Sequence, residues 1–137
     1  MTDAPPTPAP HNALQQAEQT LPFAWYHDAA QHAREMQAIW HKGWHYVCRG
    51  DALDPLNYRT LRIGTQNIVV LRNKDGSLRA YHNACRHRGS ILCTQDHGQL
   101  RSGLLVCPYH QWSYASTDGR LVATTSFAEP DGFSKAD

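Results

Sequence analysis

The chain has 137 residues, 41% of them hydrophobic, which is enough for one compact domain with a core and too little for two. Its 13 Lys and Arg against 12 Asp and Glu leave a formal charge of +1, which excludes the electrostatic footprint of a nucleic-acid or anionic-membrane binder. No apolar run approaches the roughly 18 residues that cross a bilayer, and no basic start with an apolar stretch marks a secretory signal. The expected address is therefore the cytoplasm, where four cysteines and nine histidines point to metal chemistry before disulfides.

In chain order, residues 1–12 hold Pro5, Pro6, Pro8 and Pro10 among small and polar residues, a composition expected to stay disordered. Residues 13–45 form a lead-in. Its helix is predicted from about Asp28 to His41, where Ala29, Ala33, Met36 and Trp40 are spaced by three and four and Gly43 follows as a stop. Residues 46–137 are assigned to the main domain, expected to be incomplete at its C-terminus.

Short β-rich runs begin at Trp44 (TrpHisTyrValCys), Tyr58 (TyrArgThrLeuArgIle) and Asn67 (AsnIleValValLeu). Asp75-Gly76 before LeuArgAlaTyrHis, and Asp118-Gly119 before LeuValAla, are hairpin signals, because Gly accepts positive φ. The fold class is mainly β, a small antiparallel structure with a short N-terminal helix.

Two clusters carry chemistry: Cys85-Arg86-His87-Arg88-Gly89 and Cys107-Pro108-Tyr109-His110-Gln111-Trp112. Each supplies one thiolate and one imidazole. Two thiolates on one iron and two imidazoles on a second satisfy the mixed ligation of a Rieske [2Fe–2S] centre, with Cys85, His87, Cys107 and His110 as ligands. A Cys₂His₂ zinc site is the bland alternative. It is disfavoured by spacing, since structural zinc sites pair like ligands along the chain.

These motifs, with Leu92-Cys93, Trp112-x-Tyr114 and AspGlyArgLeu at 118–121, resemble the N-terminal Rieske domain of the aromatic ring-hydroxylating oxygenase large subunits. The lead-in from Arg34 through TrpHisTyrVal and the hairpin at 75–83 share the resemblance. It implies a Rieske-type β fold with the cluster held between two hairpin loops, and one-electron transfer as the task. A mononuclear Fe(II) is expected only in a full-length subunit, whose large catalytic domain this chain lacks, so the chain reads as a truncated subunit.

The partners implied are a reductase or ferredoxin as donor and an oxygenase catalytic domain, in a head-to-tail homotrimer, as acceptor. Family members are dioxygenases that hydroxylate arenes or monooxygenases that oxidise quaternary amines. Gln111, where ring hydroxylases commonly have Gly, leans toward the second group. A free-standing Rieske ferredoxin is the alternative, and the helical lead-in around Arg34 to Trp44 argues against it.

With Ser90 and Tyr109 where high-potential relatives place a loop disulfide, and with no Ser or Tyr assignable as a hydrogen-bonding pair, the potential is expected near the low end of the range, roughly −150 mV. Cys93 and Cys48 are expected to be packing residues, and Trp112 and Tyr114 core residues beneath the cluster. His41 with His45, and Asp28 with His32, are spaced for a second metal but lack a completing carboxylate. His82 and His97 are assigned to solvated or capping roles, and Arg86 and Arg88 either to docking or to a solvated face.

Overall fold

Strands form where β-branched and aromatic residues concentrate. In the computed structural model, which describes residues 19–125 and 131–135, β1 (Asn57–Ile63) and β2 (Gln66–Arg72) pair antiparallel, with Tyr58 opposite Leu71 and Ile63 opposite Gln66. β3 (Leu78–His82) adds to β2. The Asp75-Gly76 turn between them is closed by Asn73 N–H to Ser77 O at 2.8 Å, and the Asp75 carboxylate accepts from the Ser77 amide at 2.9 Å.

A short β4 (His97–Gln99) pairs with the other edge of β1, giving the sheet order β3-β2-β1-β4. The second sheet holds β5 (Leu104–Val106), β6 (Ser113–Ala115) and β7 (Leu121–Ala123) in that order, all antiparallel. The Asp118-Gly119 turn joins β6 to β7, as the sequence indicates, with Gly119 at φ +78°. The mainly β, antiparallel class with a short helix holds.

The helix is shorter and less regular than its periodicity predicts. α1 spans Ala29–Glu35, with the Asp28 side chain capping it by accepting from the Ala30 amide at 2.9 Å. The chain then widens into a π turn over Met36–Trp40, and Gly43 N–H closes the end on Ile39 O at 2.7 Å. The strand expected from Trp44 to Cys48 does not form, since this segment finds no sheet edge and runs without regular structure, with Trp44 and Tyr46 exposed. The proline-rich tail lies outside the described residues. Among the described residues, no helix is long and apolar enough to cross a membrane.

The two sheets share one core of Val69, Leu71, Leu100, Leu105, Trp112 and Tyr114 together with Cys85, Cys93 and Cys107. Polar side chains fasten the sheets at the end away from the two cysteine loops. Ser116 donates to the Asn73 side-chain oxygen at 2.7 Å, and the Tyr81 hydroxyl donates to Ser116 O at 2.9 Å.

At the opposite end, buried Asn83 straps the base of the first loop. Its amide nitrogen donates to Cys93 O and its oxygen accepts from Cys93 N–H, both at 2.8 Å. Replacing Asn83 by Leu leaves buried backbone groups unpaired and should lower the unfolding free energy by about 2–4 kcal/mol. Urea denaturation measures this, and an unchanged midpoint would mean that the strap holds nothing.

Candidate metal centre

The two motif-bearing loops fold to the same local shape. In the loop between β3 and β4, Gly89 N–H donates to Cys85 O at 2.8 Å and Cys85 N–H donates to Ser90 O at 2.8 Å. In the loop between β5 and β6, Gln111 N–H donates to Cys107 O at 2.9 Å and Cys107 N–H to Trp112 O at 2.8 Å. The residue four after each cysteine takes a left-handed conformation, Gly89 at φ +68° and Gln111 at +58°. For Gly89 that conformation costs little; Gln111 adopts it against the ordinary preference of a residue with a Cβ.

The folded loops turn both thiols inward and both imidazoles to the rim. Cys85 is 3% and Cys107 1% exposed, whereas His87 and His110 are half-buried. His87 Nδ1 and His110 Nδ1 face one another at 3.2 Å. The two thiols share one buried cluster, and Cys85 is near enough to lower the pKa of Cys107. The four predicted ligand residues are thus brought together as two like pairs, one of sulfur and one of nitrogen.

Two nitrogens bound to one tetrahedral metal at about 2.1 Å would stand about 3.4 Å apart, close to the separation found. Among the described residues, no three His, Cys, Asp or Glu side chains converge on one point. A mononuclear tetrahedral zinc site needs four donors about one ion, whereas a [2Fe–2S] rhomb asks two protein ligands of each iron. The paired donors fit the second group.

Electrostatics favours the ligand forms. Burial pushes the Cys107 thiol up, but the backbone amides of His110 and Tyr109, with Cys85 and Ser90, outweigh it and hold the thiol below its usual value. Burial lowers the His87 pKa, and His110 and Arg88 lower it further, which keeps the imidazole neutral and able to bind metal. His87 stacks on Trp112 with centroids 4.6 Å apart and planes 8° from parallel, and Tyr109 stacks on His110 at 3.7 Å.

The remaining candidates fall away from the centre. Cys93 is buried beneath the first loop, and burial pushes its thiol up to about 11, so it persists as an uncharged packing group. All four cysteines are free, and Cys48 is half-buried in the irregular segment. His45 bonds Trp40 O at 2.6 Å and stacks on Trp40, while Asp28 caps α1. His82 and His97 are exposed on β3 and β4.

One expectation needs correction. Trp112 and Tyr114 are buried, but Tyr114 is more than packing: its hydroxyl stands 3.2 Å from Cys85 Sγ and accepts from Arg86 N–H at 3.1 Å. The Ser90 side chain lowers the pKa of the Cys107 thiol. The premise for a potential at the bottom of the range, that no Ser or Tyr bonds the cysteines, is therefore removed. The available signal was the Trp112-x-Tyr114 spacing, two aromatics that are both buried; what Tyr114 meets there is a contact 29 residues away.

An antiparallel β domain that presents Cys and His pairs from two such loops defines an iron–sulfur protein with mixed ligation. Residues 43–131 match the model of the Rieske [2Fe–2S] domain, and the chain belongs to that family. It is 44% identical over 110 residues to the glycine betaine monooxygenase oxygenase subunit of Chromohalobacter salexigens, covering 78% of this chain and 24% of that protein. It is 37% identical over 113 residues to the chloroplastic choline monooxygenase of Spinacia oleracea, covering 82% and 25%.

Among solved structures, the apo form of the quaternary ammonium Rieske monooxygenase CntA superposes with a TM-score of 0.76 at 34% identity, over 85% of this chain and 33% of that one. A naphthalene 1,2-dioxygenase gives 0.65 at 31%, over 72% and 22%. The chain spans about a quarter of the length of the curated relatives it matches.

Against a ligating thiolate the Tyr114 phenol is the donor, and a donor stabilises the more negative, reduced state. Tyr114→Phe should therefore lower the reduction potential by about 20–60 mV, the equivalent of one ordinary hydrogen bond, with the visible spectrum retained. Voltammetry of the iron-loaded chain gives the value. A potential that stays put would mean that the hydroxyl does not act on Cys85.

Proposed function

We propose that this chain passes single electrons through a Rieske [2Fe–2S] cluster held by Cys85 and Cys107 on one iron and by His87 and His110 on the other. The carrying observation is the convergence of two like pairs of donors from two loops of one shape. The cluster, when bound, supplies reversible one-electron capacity.

The chain's own residues do the rest. Cys85 and Cys107 lie where water does not reach, and the amides of Tyr109 and His110 with the hydroxyls of Ser90 and Tyr114 meet their charge. Trp112 fixes the plane of His87. The half-buried His87 and His110 form the edge through which a partner is reached.

The complete protein is proposed to be the oxygenase subunit of a quaternary-amine-oxidising system, with a reductase or ferredoxin as donor and a catalytic domain as acceptor within a homotrimer. The relatives support this, since a glycine betaine monooxygenase subunit and choline monooxygenases are among those it matches. They also disfavour the free-standing ferredoxin. A reducing compartment such as the cytoplasm accords with four free thiols.

Anaerobic loading with iron and sulfide should give two irons per chain, visible absorbance and an EPR signal in the reduced state. A colourless chain that takes up one zinc instead would overturn the assignment. His110→Cys should keep an iron–sulfur chromophore and lower its potential, because a thiolate adds negative charge where a neutral imidazole stood; an unchanged potential would remove His110 from the ligand set. For the substrate, the product of the complete reading frame is expected to oxidise glycine betaine or choline in the presence of a reductase. Turnover confined to arenes would refute the quaternary-amine reading.

A further inference from the structure

The second ligand loop turns on a residue whose side chain resists the turn. Gln111 follows His110 directly and stands at φ +58°, a left-handed conformation that a Cβ disfavours. A planar peptide leaves two rotations per residue, so the conformation of Gln111 is set once the peptide planes on its two sides are set.

Both planes are held. Gln111 N–H donates to Cys107 O at 2.9 Å, and at the other end of the same plane His110 O accepts from the Thr125 hydroxyl at 2.7 Å. In the next plane Gln111 O accepts from the hydroxyl of Ser113 at 3.1 Å. The Cys107 and Ser113 ties stay within the loop and the start of β6. Thr125 comes from outside: it stands two residues past the end of β7 (Leu121–Ala123) and reaches back 15 positions.

The aim of one imidazole depends on these ties. The plane that Thr125 holds begins at the His110 Cα, and the bond from Gln111 N–H to Cys107 O closes the turn that carries both Cys107 and His110. Relaxation of Gln111 toward negative φ would rotate that plane, withdraw the amide from Cys107 O and open the turn. His110 Nδ1 would then no longer be held opposite His87 Nδ1 at 3.2 Å. Gly89, at the same place in the first loop, has no Cβ and resists nothing.

Resting on the Rieske reading above, we propose that Thr125 is a positioning residue for His110. Its hydroxyl holds the His110–Gln111 peptide in the orientation that Gln111 disfavours, and so keeps the second imidazole paired with the first.

The iron-loaded chain tests this by two readings: the g-values of the reduced-state EPR signal, which report the arrangement of ligands about the irons, and the rate at which an iron chelator bleaches the cluster. Thr125→Val keeps the shape and removes the donor. It should broaden the signal or add a second set of g-values, and speed bleaching roughly two- to tenfold, the worth of one net hydrogen bond. Thr125→Ser keeps the hydroxyl and should match the unaltered chain. Gln111→Gly removes the resistance, so Thr125→Val added to Gln111→Gly should read the same as Gln111→Gly alone.

Thr125→Val readings equal to those of the unaltered chain, or Thr125→Ser readings equal to those of Thr125→Val, would overturn the proposal. So would an equal effect of Thr125→Val with and without Gln111→Gly, which is what a contribution to stability alone produces. If Thr125→Val takes up no cluster, restored uptake in the double variant supports the proposal and continued failure refutes it. Failure of the unaltered chain to form a [2Fe–2S] spectrum would instead overturn the reading beneath, and the proposal with it.

Discussion

The centre depends on two short turns being closed in the same way. In each, the amide four residues past a cysteine bonds back to that cysteine's carbonyl, and the cysteine's own amide bonds to the carbonyl of the residue after. This closure spends the local backbone groups on one another, which frees the next amides to face sulfur. It also demands a left-handed residue at the fourth position. Gly89 meets the demand at little cost, whereas Gln111 carries a penalty of about 1–2 kcal/mol that the surrounding bonds must offset. Because both loops obey one geometry, a difference of one residue in ligand spacing, Cys-x-His against Cys-x-x-His, is absorbed without separating the imidazoles.

The division of the donors by depth follows from their charge. Ligating thiolates are anions, and burying an anion is costly unless donors surround it. The amides of Tyr109 and His110 and the hydroxyls of Ser90 and Tyr114 are those donors, and they hold both thiols in the core. Imidazoles bind metal as neutral groups, so they need no such shell and can stand at the rim. A partner can therefore approach through nitrogen without water reaching sulfur. One constraint, the solvation of charge, sets both the stability of the site and which of its donors stand at the rim.

The sequence made legible what is encoded locally. The ligand motifs are contained in segments of a few residues, and the hairpins at Asp75-Gly76 and Asp118-Gly119 are set by turn chemistry, so all of these could be read in advance. Strands β3 and β7 coincide with the runs LeuArgAlaTyrHis and LeuValAla. β4 and β5, at three residues each, carry too little periodicity to declare themselves. The run from Trp44 to Cys48 has strand composition but no edge to pair with, and pairing rather than propensity makes a strand. Tyr114 and Asn83 escaped because their importance lies in what they touch: one reaches Cys85 across 29 positions, and the other straps Cys93 across ten.

The lead-in obeys a different rule from the rest of the chain. Among the described residues before Leu53, Gln31 is the one that is buried, while Phe23, Tyr26, Trp44 and Tyr46 stand largely in solvent. Segments rich in aromatic residues that bury so few of them gain little from the hydrophobic effect and contribute little to holding the domain together. The core from Leu53 onward closes without them, and every donor of the centre lies inside that core or on its rim. The geometry of the cysteine and histidine loops is accordingly fixed by two small sheets and their polar fastenings at Asn73, Ser116 and Asn83, and not by the helix that precedes them.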